Sequence, residues 1–148
     1  MRPAVSKNAQ DLPEQGWDDP AKGSVRWKTL FSGEVTQTDS MVCGIARMEA
    51  GDHFALHRHA QPEIYFGLEG EGEVMIDGVA HRLAPGIALF IPGHALHGVP
   101  VAHGPLRWFY SFACDRFDQI QYDFAPPPGA PDPGPDHKPD HKPDTRQT

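Results

Sequence analysis

Between about residue 25 and residue 123 the chain is a succession of short apolar runs broken by Gly, Pro and Asp, and no run keeps the spacing of a helix face. The runs cover residues 25–31, 41–49, 53–59, 63–70, 73–76, 79–84, 87–91, 96–101 and 106–113, each rich in Val, Ile, Phe, Tyr or Trp. They predict strands. Asp77 and Gly78 join two of the runs by a two-residue loop, the signature of a type I′ hairpin. Many short antiparallel strands in about 100 residues make a sandwich or a closed barrel, and a jelly roll suits the count. The stretch before Trp17 carries little pattern beyond a short helix, and the segment from residue 126 is dense in Pro and repeats Asp-His-Lys-Pro. That composition cannot build a core, and its prolines forbid the helix on which His137 and His141 could share a metal. The expected organisation is an N-terminal arm at 1–23, an all-β barrel at 24–125 and a disordered Pro-rich tail at 126–148.

A length of 148 residues suits one domain, and a net charge of −7 offers no field for a phosphate backbone. No stretch approaches the roughly 20 apolar residues needed to cross a bilayer, and the first residues do not resemble a signal peptide. These features predict a soluble, cytoplasmic protein with a small-molecule substrate and neither nucleic acid nor membrane as partner. A small barrel with open rims also predicts a homodimer. Cys43 and Cys114 lie far apart inside apolar runs and read as buried thiols.

The chemistry concentrates in residues 51–70. On an extended strand His57 and His59 project to one side and can share a metal. Glu63 follows after Pro62, which suits a turn that returns the carboxylate to the two imidazoles, and His97 in the later run can add a third. Three imidazoles and one carboxylate leave open positions on one divalent ion per chain, which suits Fe(II), Mn(II) or Ni(II), with Zn(II) also compatible. A lone strand histidine is usually a surface residue, so the weight lies in the set and its spacing. His53, two positions before Ala55 and four before His57, projects with the ligands as a substrate contact or caps the barrel rim. Tyr65 shares the face of Glu63, where a cation would favour tyrosinate, and Tyr122 follows the last strand and can fold over the opening. Phe66, Phe90 and Phe112 read as core, and Trp108, Tyr110 and Phe112 alternate on one strand face.

The spacing of Gly51, His57, His59, Glu63 and Gly70 resembles the first signature of the cupin superfamily at every position. Gly86, Pro92 and His97 resemble the second, with His94 where an inner Gly is usual and Val101 where Asn is usual. Residues 24–124 further resemble the small cupin lyases that cleave dimethylsulfoniopropionate (DMSP). The likeness rests on Val25-Arg26-Trp27-Lys28, Leu56-His57-Arg58-His59, Glu63-Ile64-Tyr65, and Asp115-Arg116-Phe117 with Tyr122. This resemblance implies an RmlC-like jelly roll, metal ligands at His57, His59, Glu63 and His97, and Tyr65 or Tyr122 as base of a β-elimination. Trp27 and Trp108 offer faces to the sulfonium. An Fe(II)-dependent dioxygenase of a small chelating substrate and a metal-assisted sugar isomerase are the alternatives.

Overall fold

The computed structural model describes residues 2–126, so the expectation of a disordered Pro-rich tail lies outside the described residues. Eleven strands follow one another as β1 (Gln15–Gly16), β2 (Arg26–Phe31), β3 (Val42–Met48), β4 (Phe54–Arg58), β5 (Glu63–Gly70), β6 (Gly72–Ile76), β7 (Val79–Leu83), β8 (Ala88–Ile91), β9 (His97–Val99), β10 (Leu106–Phe112) and β11 (Asp123–Phe124). Each of the nine apolar runs becomes a strand. The two additions, β1 and β11, are two residues long and carry no period of their own. Single 3-10 turns at Ala9–Asp11 and Phe117–Gln119 complete the regular structure of the described residues.

The strands form two antiparallel sheets, ordered β1-β2-β3-β10-β5-β8 and β11-β4-β9-β6-β7. Alternation explains how they close on one core. Along β10 the side chains of Leu106, Trp108, Tyr110 and Phe112 are buried, and along β5 those of Glu63 and Tyr65 are. In register, Tyr110 stands opposite Tyr65 and Phe112 opposite Glu63, so the aromatic face of one strand meets the polar site of the next. The hairpin between β6 and β7 has φ of 47° at Asp77 and 81° at Gly78, as a type I′ turn requires.

Phe66 and Phe90 are not core residues. They are 40% and 67% exposed, because Glu63 and Tyr65 face inward and the pleat turns Ile64 and Phe66 outward. β8 pairs with β5 so that Phe90 stands beside Ile64 on that same outer face. Phe112, by contrast, is 2% exposed and lies in the core. Cys43 and Cys114 are unpaired thiols, the first buried and the second half-buried.

Candidate metal centre and cavity

His57 lies in β4, His59 just beyond its end, Glu63 opens β5 and His97 opens β9. β4 pairs with β9 so that His57 is opposite His97, which sets the first and last histidines side by side. The loop before His97 keeps its shape without the usual glycine. His94 takes a left-handed φ of 66°, its N–H donates to the His59 carbonyl at 2.7 Å, and the Arg58 guanidinium donates to its carbonyl at 3.1 Å.

The ligand atoms of His57, His59 and His97 all lie within 4.8 Å of one another. Glu63 Oε2 is 3.1 Å from His97 Nε2 and 3.3 Å from His59 Nε2. All four side chains are buried. Each histidine is oriented by a backbone carbonyl: Nδ1 of His57 donates to Ala55 O at 2.8 Å, that of His59 to Gln61 O at 2.9 Å, and that of His97 to Ala95 O at 2.9 Å. With Nδ1 carrying the proton, each Nε2 presents a lone pair to the cluster. Nε2 of His57 and of His59 has no hydrogen-bond partner, a costly state for buried nitrogens unless a cation takes the lone pairs. Burial, reinforced by the neighbouring His97 and His59, holds the His57 imidazole well below its usual pKa and therefore neutral. Burial pushes the Glu63 carboxyl up, but the facing His59 and His97 rings outweigh it and hold it below its usual pKa. Three imidazole nitrogens and one carboxylate are a donor set for a divalent metal.

A cavity opens beside this cluster, walled by Trp27, Glu63, Tyr65, Trp108 and Tyr122, all noted in the sequence, and by Trp17, Phe54, Tyr110 and Phe117 among others. The space a water centre can reach is about 30 Å³, and the whole gap between atoms, open mouth included, is about 320 Å³. Tyr65 packs on His97 with ring centroids 6.4 Å apart, and Tyr122 lies 5.2 Å from both His57 and His59. The protein's own groups do not favour tyrosinate. Burial first, then the Glu63 carboxylate, push both phenols well above the ordinary range. Only the Trp108 indole, close to Tyr65 though outside hydrogen-bond geometry, pulls Tyr65 the other way.

His53 does not join this group. The pairing of β4 with β9 slips between Phe54 and His57, so Phe54 rather than His53 turns inward and stacks on His57 at 4.3 Å. Strand parity alone could not foresee that bulge. Trp17 was also beyond the reach of sequence pattern, since it stands in the arm where nothing is periodic. Tyr110, which the alternation along its strand had set on one face with Trp108 and Phe112 without assigning it to the site, lines the cavity beside them.

Two antiparallel sheets closing on a buried three-histidine, one-carboxylate cluster define a cupin architecture, and the Cupin domain model matches residues 44–112. The chain belongs to the cupin family. It is 44% identical over 122 residues to the dimethylsulfoniopropionate lyase DddW of Ruegeria pomeroyi, covering 82% of this chain and 80% of that protein. It is 41% identical over 67 residues to the dimethylsulfoniopropionate lyase DddQ of the same organism, covering 44% of this chain and 33% of that one. Among solved structures it is similar to the polyketide cyclase RemF from Streptomyces resistomycificus, with a TM-score of 0.68 and 18% identity over 83% of this chain and 87% of the other. At that identity the likeness is one of fold.

Proposed function

We propose that the chain is a metal-dependent lyase that cleaves DMSP to dimethyl sulfide and acrylate by β-elimination. The observation that carries this reading is the pair of tyrosines packed against the histidine cluster and facing the same cavity as Glu63. The similarity to DddW over most of both chains supports it. His57, His59, Glu63 and His97 would hold one Fe(II), Mn(II) or Ni(II), with Zn(II) also compatible. The bound dication supplies a Lewis acid for the substrate carboxylate and the positive charge that the two buried phenols lack. Tyr65 or Tyr122 takes the proton from the carbon beside the carboxylate. The electron pair left behind forms the carbon–carbon double bond, the carbon–sulfur bond breaks, and dimethyl sulfide leaves as a neutral molecule. Trp27 and Trp108 present ring faces to the sulfonium, each contact worth about 0.5–2 kcal/mol. His53, outside the cavity, has no part in this arrangement.

The division into arm 1–23, barrel 24–125 and tail 126–148 belongs to the same proposal, as does a cytoplasmic homodimer acting on a small molecule. The charge of −7 argues against a nucleic-acid partner, and no helix of the described residues is long and apolar enough to cross a membrane. The test is an anaerobic assay of metal-defined protein with DMSP. Equal release of dimethyl sulfide and acrylate without O₂ is expected. A requirement for O₂ would move the chain to the dioxygenases, and no release with any of the four metals would overturn the lyase reading. Metal analysis should give one ion per chain, and His57→Ala should strip it; undiminished occupancy in that variant would remove His57 from the ligand set.

A further inference from the structure

Most side chains around the cavity stand on β2, β3, β4, β5 and β10, strands paired on both edges. Trp17, Val25, Phe117 and Tyr122 do not, and Val25 is held by its N–H donating to His53 O at 3.2 Å. Phe117 is pinned, because its buried N–H donates to Ser32 Oγ at 2.9 Å. Tyr122 is followed at once by β11, which pairs with β4. Trp17 follows β1 directly, which pairs with β2. The arm before it is fastened to the sheet by the forked Arg47–Glu14 pair at 2.6 and 2.7 Å, by Lys28 Nζ donating to Ala9 O at 3.0 Å, and by Thr29 Oγ1 donating to Gln15 Oε1 at 2.7 Å. Beyond Gly16 the chain turns back on itself, with Lys22 N–H donating to Asp19 O and Ala21 N–H to Asp19 Oδ1. It rejoins the barrel at Lys22, whose carbonyl accepts from Ala55 N–H at 2.9 Å, and at Gly23, which bridges to Phe54. Trp17 therefore hangs from a short turn strung between two fixed points.

Its indole is nonetheless 8% exposed, with ring centroids 5.0 Å from Tyr122, 5.3 Å from Trp27 and 5.2 Å from Phe124. Its N–H is buried without a partner. The enclosed part of the cavity, about 30 Å³, has room for only a few waters. A substrate larger than a few waters needs a wall to yield, and Trp17 is a wall that stands off the strands, just after β1 and at the head of the turn held by Asp19.

We propose that Trp17 is the specificity-determining wall of the cavity: it moves to admit the substrate and then packs against the alkyl groups on the substrate's cationic centre, limiting their size. The identity of that centre as a sulfonium rests on the lyase reading. The size limit does not. A methylene in an apolar pocket changes discrimination by about 10-fold or more, so removing the indole should be legible as a ratio.

The experiment uses the full metal-loaded chain and compares wild type, Trp17→Phe and Trp17→Ala. Calorimetry measures tetramethylammonium against tetraethylammonium, and kcat/KM is measured for DMSP against its diethyl analogue. Wild type should favour the methyl compounds, and the preference should shift toward the ethyl compounds in both variants, by about 10-fold for Ala. An unchanged ratio in folded, metal-replete variants would overturn the proposal, as would wild type binding neither ammonium ion. Loss of fold in Trp17→Phe would also overturn it, because Trp17 would then be structural. Should wild type release no dimethyl sulfide, the lyase reading fails while the ammonium ratio still decides the role of Trp17.

Discussion

At Tyr65 and Tyr122 burial and a carboxylate act together against ionisation, and both hydroxyls sit where only a positive charge could reverse that. A general base at such a position works only with the metal in place, so Phe substitution separates chemistry from structure. Tyr65→Phe or Tyr122→Phe, whichever removes the base, should lower kcat by about 10²–10⁴-fold with metal content and fold retained. The other should cost far less, since its ring stays to fill the cavity. Full activity in both variants would end the elimination mechanism described above. The spacing of the histidines and Glu63 was legible because strand parity and one turn bring near neighbours together, and a second motif supplied His97. The residues that went unseen or astray, Trp17 and His53, depend on where the arm docks and where β4 slips against β9, and neither is a local property of the sequence.

The elements show how a departure from a family pattern is absorbed. The tip of the β6–β7 hairpin is tied to the ligand loop, with Leu96 N–H donating to Asp77 Oδ1 at 2.9 Å and Asp77 N–H donating to Leu96 O at 2.8 Å. Together with the bonds from His94 to His59 and from Arg58 to His94, these hold the loop before His97 although His94 bears a left-handed backbone. Relieving that strain with His94→Gly should leave metal occupancy unchanged and raise stability by at most about 1 kcal/mol. Gly70 is the opposite case. At a φ of 72° and with the Pro105 carbonyl in the way of a Cβ, Gly70→Ala should destabilise by more than about 1 kcal/mol. Denaturant unfolding of the two variants checks both signs; a destabilised His94→Gly would mean that the imidazole itself supports the loop. Every long strand was readable from its apolar run, whereas β1 and β11 exist only because longer strands offer them an edge.

Taken as a whole molecule, the barrel places its aromatic residues in two different environments. Most line the interior, but the outer face of the six-stranded sheet carries Ile64 at 46%, Phe66 at 40% and Phe90 at 67% exposure, adjacent on β5 and β8. β8 is also the last strand of its sheet, so an apolar face and an unpaired strand edge coincide. That coincidence is an aggregation hazard in an isolated monomer and a natural seam for a symmetric pair, in which the same patch meets itself and closes. Sedimentation at micromolar concentration should therefore give the dimer mass, and Phe90→Lys should shift it to the monomer without altering the metal content, because Phe90 points away from the cavity. Phe66→Lys, on the same face one strand over, should act in the same direction. A wild-type chain that sediments only as the monomer would mean that this face stays open to water; a dimer unaffected by either substitution would place the seam elsewhere on the barrel.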